Sequence, residues 1–108
     1  MAVILLLGVQ KHHQTQRFLT ALKQRVYAMK ELHLTEDDII PYFIPSEGSI
    51  GEIVIFVEEL SETRVKVHNE LAERLAECAE SYCERPRLVK CIIRPFDSRS
   101  GYACIVTK

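Results

Sequence analysis

The feature that most constrains this chain is a nearly unbroken apolar run from Ala2 to Val9, carrying Val3, Ile4, Leu5, Leu6 and Leu7. A short continuous run of this kind suits a strand with apolar surroundings on both faces. It recurs: Ile53 to Val57 reads Ile-Val-Ile-Phe-Val, about 50 residues further on. Each run leads into an amphipathic helical pattern and then into a second apolar run. The repetition is one of layout, not of residue identity.

In the first half, Phe18, Leu19, Leu22, Val26 and Met29 recur at three- and four-residue spacing. Lys23, Arg25 and Lys30 fall between them, which predicts a helix from about Thr15 to Leu32. Thr35 is placed to cap one short turn before a second strand at Ile39 to Ile44. Pro41 lies inside that strand, and proline cannot donate to a ladder, so the strand belongs at an edge or is bulged there. In the second half, Val67, Leu71, Leu75, Cys78 and Tyr82 form a helical stripe, with Ser61 or Thr63 as cap. Arg85-Pro86 marks its end. Leu88 to Ile93 reads as the fourth strand and Tyr102 to Val106 as a last short one.

Two tandem β-α-β units make an α/β chain, a two-layer α+β sandwich with a four-stranded mixed sheet. Right-handed crossovers put both helices on one face. One domain, 1–108, is expected, with halves at about 1–50 and 51–108. The strands are too apolar for their other face to meet water, and no segment is left to cover it. That face is expected to pack against further copies of the chain.

Several function classes lose support from composition. Net charge is −1 with both signs interspersed, which disfavours nucleic acid and polybasic membrane contacts. No segment has the length of a membrane span. The apolar start has no positive region before it and no small-residue cleavage site after it, so a cytoplasmic location is expected. There is no Walker A, G-x-G-x-x-G or G-x-S-x-G pattern, and no cofactor is expected. Cys78 and Cys83 are spaced unlike zinc ligands, and Cys78, Cys83, Cys91 and Cys104 read mostly as reduced thiols packed as small hydrophobes. His12-His13 are neighbours without a third ligand, so no metal is expected. His33 and His68 read as surface residues of helices.

The layout resembles the tautomerase superfamily, with macrophage migration inhibitory factor the nearest arrangement. The likeness covers nearly the whole chain. Its local echoes are Asp38-Ile39-Ile40-Pro41-Tyr42-Phe43-Ile44-Pro45, Leu75-Ala76-Glu77 and Ile93-Arg94-Pro95-Phe96-Asp97. The resemblance implies a homotrimer built around a central barrel of sheets. It also implies keto–enol chemistry by an N-terminal proline amine acting as base. Here Ala2 follows Met1. Alanine is small enough for Met1 removal, and its primary amine would be about one-tenth free base at pH 7.

The family places cations near that amine to bind substrate carboxylates. Arg94, at a strand end, is the best candidate for an acidic ligand. Lys11 is a weaker one, and Tyr42 and Phe96 are candidates to line a pocket. Three readings stay open: a non-catalytic relative that binds a small acidic ligand, a tautomerase using the Ala2 amine, and a ferredoxin-like regulatory domain. The last shares the element order and predicts the first and third strands adjacent at the sheet's centre. Alanine at position 2 favours the non-catalytic reading.

Overall fold

Alternation of buried and half-exposed residues organises the first and third strands, and alternation of exposed and half-exposed residues the fourth. The computed structural model describes residues 1–9, 14–45, 52–83, 87–95 and 105. The elements run β1 (Ala2–Leu7), α1 (Thr15–Ala28), β2 (Ile39–Phe43), β3 (Glu52–Leu60), α2 (Val65–Glu80) and β4 (Leu88–Pro95). They form one mixed sheet of order β2-β1-β3-β4, with both helices packed against the same face.

Each β-α-β unit pairs its own two strands in parallel. Ala2 faces Ile39 and Glu52 faces Leu88, offsets of 37 (39 minus 2) and 36 (88 minus 52) residues. The halves join through β1 and β3, antiparallel from Val3↔Glu58 to Leu7↔Val54. β1 and β3 are therefore central neighbours, the feature expected of a ferredoxin-like sheet. A ferredoxin-like sheet, however, splits each β-α-β unit by inserting a strand between its two strands. Here neither unit is split, so central adjacency does not make this sheet ferredoxin-like. β2 is an edge strand, the first of the two placements that Pro41 allows.

The core lies between sheet and helices. Ile4, Leu6, Ile55 and Val57 from the sheet meet Leu22 and Val26 of α1 and Leu71 and Leu75 of α2, all fully buried. Each such side chain stabilises the fold by about 1.5–3 kcal/mol relative to exposure. Phe18 and Tyr82 stack with ring centroids 5.0 Å apart, tying the start of α1 to the end of α2.

Three local expectations change. The first helix stops at Ala28, not Leu32, because Met29 turns extended (ψ 94) and drops into the core. A separate 3-10 turn, Lys30–Leu32, then buries Leu32. The cap position of α2 belongs to Arg64 rather than to Ser61 or Thr63. The Glu62 carboxylate accepts from the Arg64 backbone N–H at 2.9 Å and from its Nε at 2.8 Å. The third strand runs on to Leu60, past Val57, by means of a bulge at Glu58/Leu60. Thr35, by contrast, forms the expected cap, its backbone N–H donating to Asp38 Oδ2 at 2.9 Å. That bond holds the Asp38 carboxyl below its usual value. Arg85, Pro86 and the segment Tyr102 to Val106, apart from Ile105, lie outside the described residues.

Gly8 ends β1 at φ +84, and a Cβ there would collide with the Glu52 carbonyl oxygen. Arg87 Nη2 donates to the Gly8 carbonyl at 2.6 Å beside the same contact. Gly8→Ala combines a left-handed residue with a backbone collision, so it should cost about 2–4 kcal/mol. Urea unfolding monitored by circular dichroism checks this; a midpoint equal to that of the parent would refute the close approach.

Candidate functional site

The helix-free face of the sheet is apolar in its middle rows and charged at its ends. Register places Tyr42, Leu5, Phe56 and Ile92 in one row across all four strands. The next row toward the start of β1 is Ile40, Val3, Glu58 and Arg94. Tyr42 is 53% exposed, Leu88 57% and Ile92 40%, large values for strand hydrophobics. At the far end Lys90 pairs with Glu52 at 3.1 Å.

Arg94 lies on this face near the end of β4, where it has two partners. Its Nη2 pairs with Glu58 Oε1, and its guanidinium carbon sits 4.3 Å from the centroid of the Phe56 ring. The aromatic face holds the guanidinium by cation–π attraction, while the carboxylate neutralises it. The bulge lies beside this pair. Glu59 takes φ 61, left-handed for a residue with a side chain, and so stays outside while Leu60 returns to the core at 1% exposure.

Of the sequence candidates, Ala2 opens β1 one residue from the Glu58–Arg94 row, roughly 10 Å from Arg94 by strand spacing. Its side chain points the other way, into the core, and is fully buried. Tyr42 shares the face of Arg94 but sits at the opposite edge, roughly 15 Å away. Within one copy of the chain the two do not meet. Lys11, Phe96, His12 and His13 lie outside the described residues. His33 is exposed, just past the 3-10 turn in a left-handed conformation, rather than on a helix. His68 is half-buried, not simply on the surface, with Nε2 2.5 Å from the Glu62 carbonyl oxygen. Among the described residues no three His, Cys, Asp or Glu side chains converge on a metal position. Among them, too, no helix is long and apolar enough to cross a membrane.

Glu58 and Phe56 are the partners that sequence reasoning missed. Their two-residue spacing puts them on one strand face, but only the register with β4 reveals that Arg94 meets them. Of the thiols, Cys78 is buried and Cys83 and Cys91 partly so, while Cys104 lies outside the described residues.

Burial pushes the Cys91 thiol up to about 12 and the Cys78 thiol up as well, against a small opposing pull from Arg25. An unfolded thiol ionises near 8.5. Between that value and about 12 the unfolded chain has lost a proton that the native Cys91 keeps, so stability falls as pH rises through this window. Cys91→Ala should flatten the fall in melting temperature between pH 8.5 and 10.5. An unchanged slope would show that Cys91 is not the group responsible.

No protein-family model matches the sequence, and no curated protein matches it significantly. Solved structures do match. A DUF1904 domain from Sebaldella termitidis ATCC 33386 superposes with TM-score 0.71 at 15% identity, covering 95% of both chains. A macrophage migration inhibitory factor-like protein from Entamoeba histolytica gives 0.66 at 14% identity, over 94% of this chain and 93% of that one. A fused 4-OT protein solved as a symmetric trimer gives 0.67 at 10% identity, over 88% and 84%. With the unsplit β-α-β pairs and the shared helical face, these likenesses show that the chain shares the fold of the macrophage migration inhibitory factor-like and fused 4-OT structures.

Proposed function

We propose that this chain is a self-associating tautomerase-fold protein with little or no classical keto–enol activity. In this reading Arg94 binds a small carboxylate-bearing ligand at the end of the open sheet face. The observation that carries it is Ala2. Classical chemistry uses a proline amine at the start of β1, and here that position is an alanine whose side chain is buried in the core. A primary α-amine is less basic and less constrained than a proline amine, so it is the poorer proton acceptor next to a carbonyl. Arg94 supplies the charge an acidic ligand needs, on the same sheet end.

The proposed assembly is a homotrimer. Its support is the apolar face that neither helix covers, together with the symmetric trimer of the 4-OT neighbour. An apolar face this broad is unusual on a monomer. Sedimentation equilibrium at micromolar concentration should give three times the chain mass of 12.4 kDa; a monomer would sink the proposal.

The catalytic question is tested on Ala2. Phenylpyruvate enol–keto conversion is measured with protein shown by mass spectrometry to start at residue 2, beside an Ala2→Pro variant. Native turnover should be negligible. Robust native turnover that disappears on acetylating the amine would overturn the non-catalytic reading and assign the base to Ala2.

A further inference from the structure

The Glu58–Arg94 pair bears directly on how an acidic ligand could reach Arg94. We infer that Glu58 is a resident counter-ion that a ligand carboxylate must displace from Arg94, so that its charge weakens and filters anion binding at this end of the sheet. The inference rests on the proposal that Arg94 is the anion site.

Three features support it. First, Glu58 occupies a donor of the guanidinium that an incoming carboxylate would use. Second, the pair is displaceable: the Arg94 side chain is 53% exposed and that of Glu58 25%, and an exposed ion pair is favoured over its separated ions by a factor of only about 1.4 to 5. Third, Arg94 has a support independent of Glu58, since Phe56 lies under the guanidinium. Without the Glu58 charge, Arg94 would keep its place and gain an open coordination side. The neighbouring bulge fits the same picture. It holds Glu59 in a left-handed conformation next to Glu58, and strain of this sort gathers at functional positions.

Glu58→Gln removes the charge and keeps the shape. A carboxylate held on Arg94 would otherwise feel Glu58 at roughly 4–5 Å, a repulsion that in water weakens binding about fivefold. Combined with the lost competition, this predicts malonate binding about seven- to twenty-fivefold tighter in Glu58→Gln than in the parent. The readout is an NMR titration with malonate, tracking the amides of β3 and β4. Glu52→Gln, at the far end of the same face, is the control. It lies six residues along β3 from Glu58, roughly 20 Å away and beyond the Debye length at physiological salt, so it should leave the affinity unchanged.

Arg94→Ala separates the two levels of the argument. If Arg94→Ala abolishes binding and Glu58→Gln tightens it, both stand. If Arg94→Ala abolishes binding but Glu58→Gln leaves it equal or weaker, the anion site stands. Glu58 is then a residue that positions Arg94, and the counter-ion inference fails. If neither the parent nor Glu58→Gln binds malonate, or Arg94→Ala binds it undiminished, the site and the inference fall together. Melting temperatures of all four proteins show that each remains folded.

Discussion

The antiparallel contact between β1 and β3 is the constraint on which the architecture depends. Its ladder runs from Val3↔Glu58 to Leu7↔Val54, with Leu5 opposite Phe56 at its centre. Two β-α-β units joined in this way are related by an approximate twofold axis through that central pair, perpendicular to the sheet. Such an axis keeps both crossover helices on the same side. Ile4 and Leu6 of β1 and Ile55 and Val57 of β3 therefore share one helical cover, while Val3, Leu5, Val54 and Phe56 face away from both helices. One-sided burial is a consequence of the joint, not of any single residue's preference.

Side-chain alternation then has to survive to the end of each strand. In β3 the inward positions are Ile53, Ile55 and Val57, so strict alternation would turn Glu59 inward and Leu60 outward. Burying an unpaired carboxylate is far costlier than straining one backbone residue. The bulge resolves the conflict: Glu59 is absorbed at φ 61 and Leu60 falls back into the core, opposite Pro95. The same device leaves Glu58 on the outer side of the sheet against Arg94 and keeps Glu59, next in sequence, exposed. A phase correction needed for packing thus shapes the electrostatics of the charged end that faces the start of β1.

Much of the fold was legible in the sequence because the signals were periodic or chemically blunt. Apolar runs, the stripe of Leu71, Leu75 and Cys78, the edge placement of Pro41 and the Thr35 cap all read correctly. What escaped depended on tertiary context. The break at Met29 is forced by a side chain that packs at 2% exposure, and nothing in the local spacing marks it. The extension of β3 through two glutamates needs the bulge, and Glu59 has no glycine-like signature. The Arg64 cap replaces the expected Ser61 or Thr63, because Glu62 engages Arg64 through both backbone and side chain. At the candidate site, the strand-end position of Arg94 was visible, but its partners were not. Glu58 lies 36 residues away, and only parallel register brings it into contact.

The arrangement of charge on the open face also bears on how copies of the chain would meet. Glu58–Arg94 and Glu52–Lys90 stand at opposite ends of β3, with Val54 and Phe56 on the same face between them. An ion pair taken fully out of water loses more hydration than its attraction returns unless every donor and acceptor is met. Each of these pairs is therefore best left at the rim of any contact, where both ions keep part of their solvent. In the proposed assembly this would put the apolar rows around Leu5, Phe56 and Ile92 in the contact and the Arg94 end at its rim. The face thus has two parts, an apolar centre and a charged margin, and the spacing of alternate residues along β3 separates them.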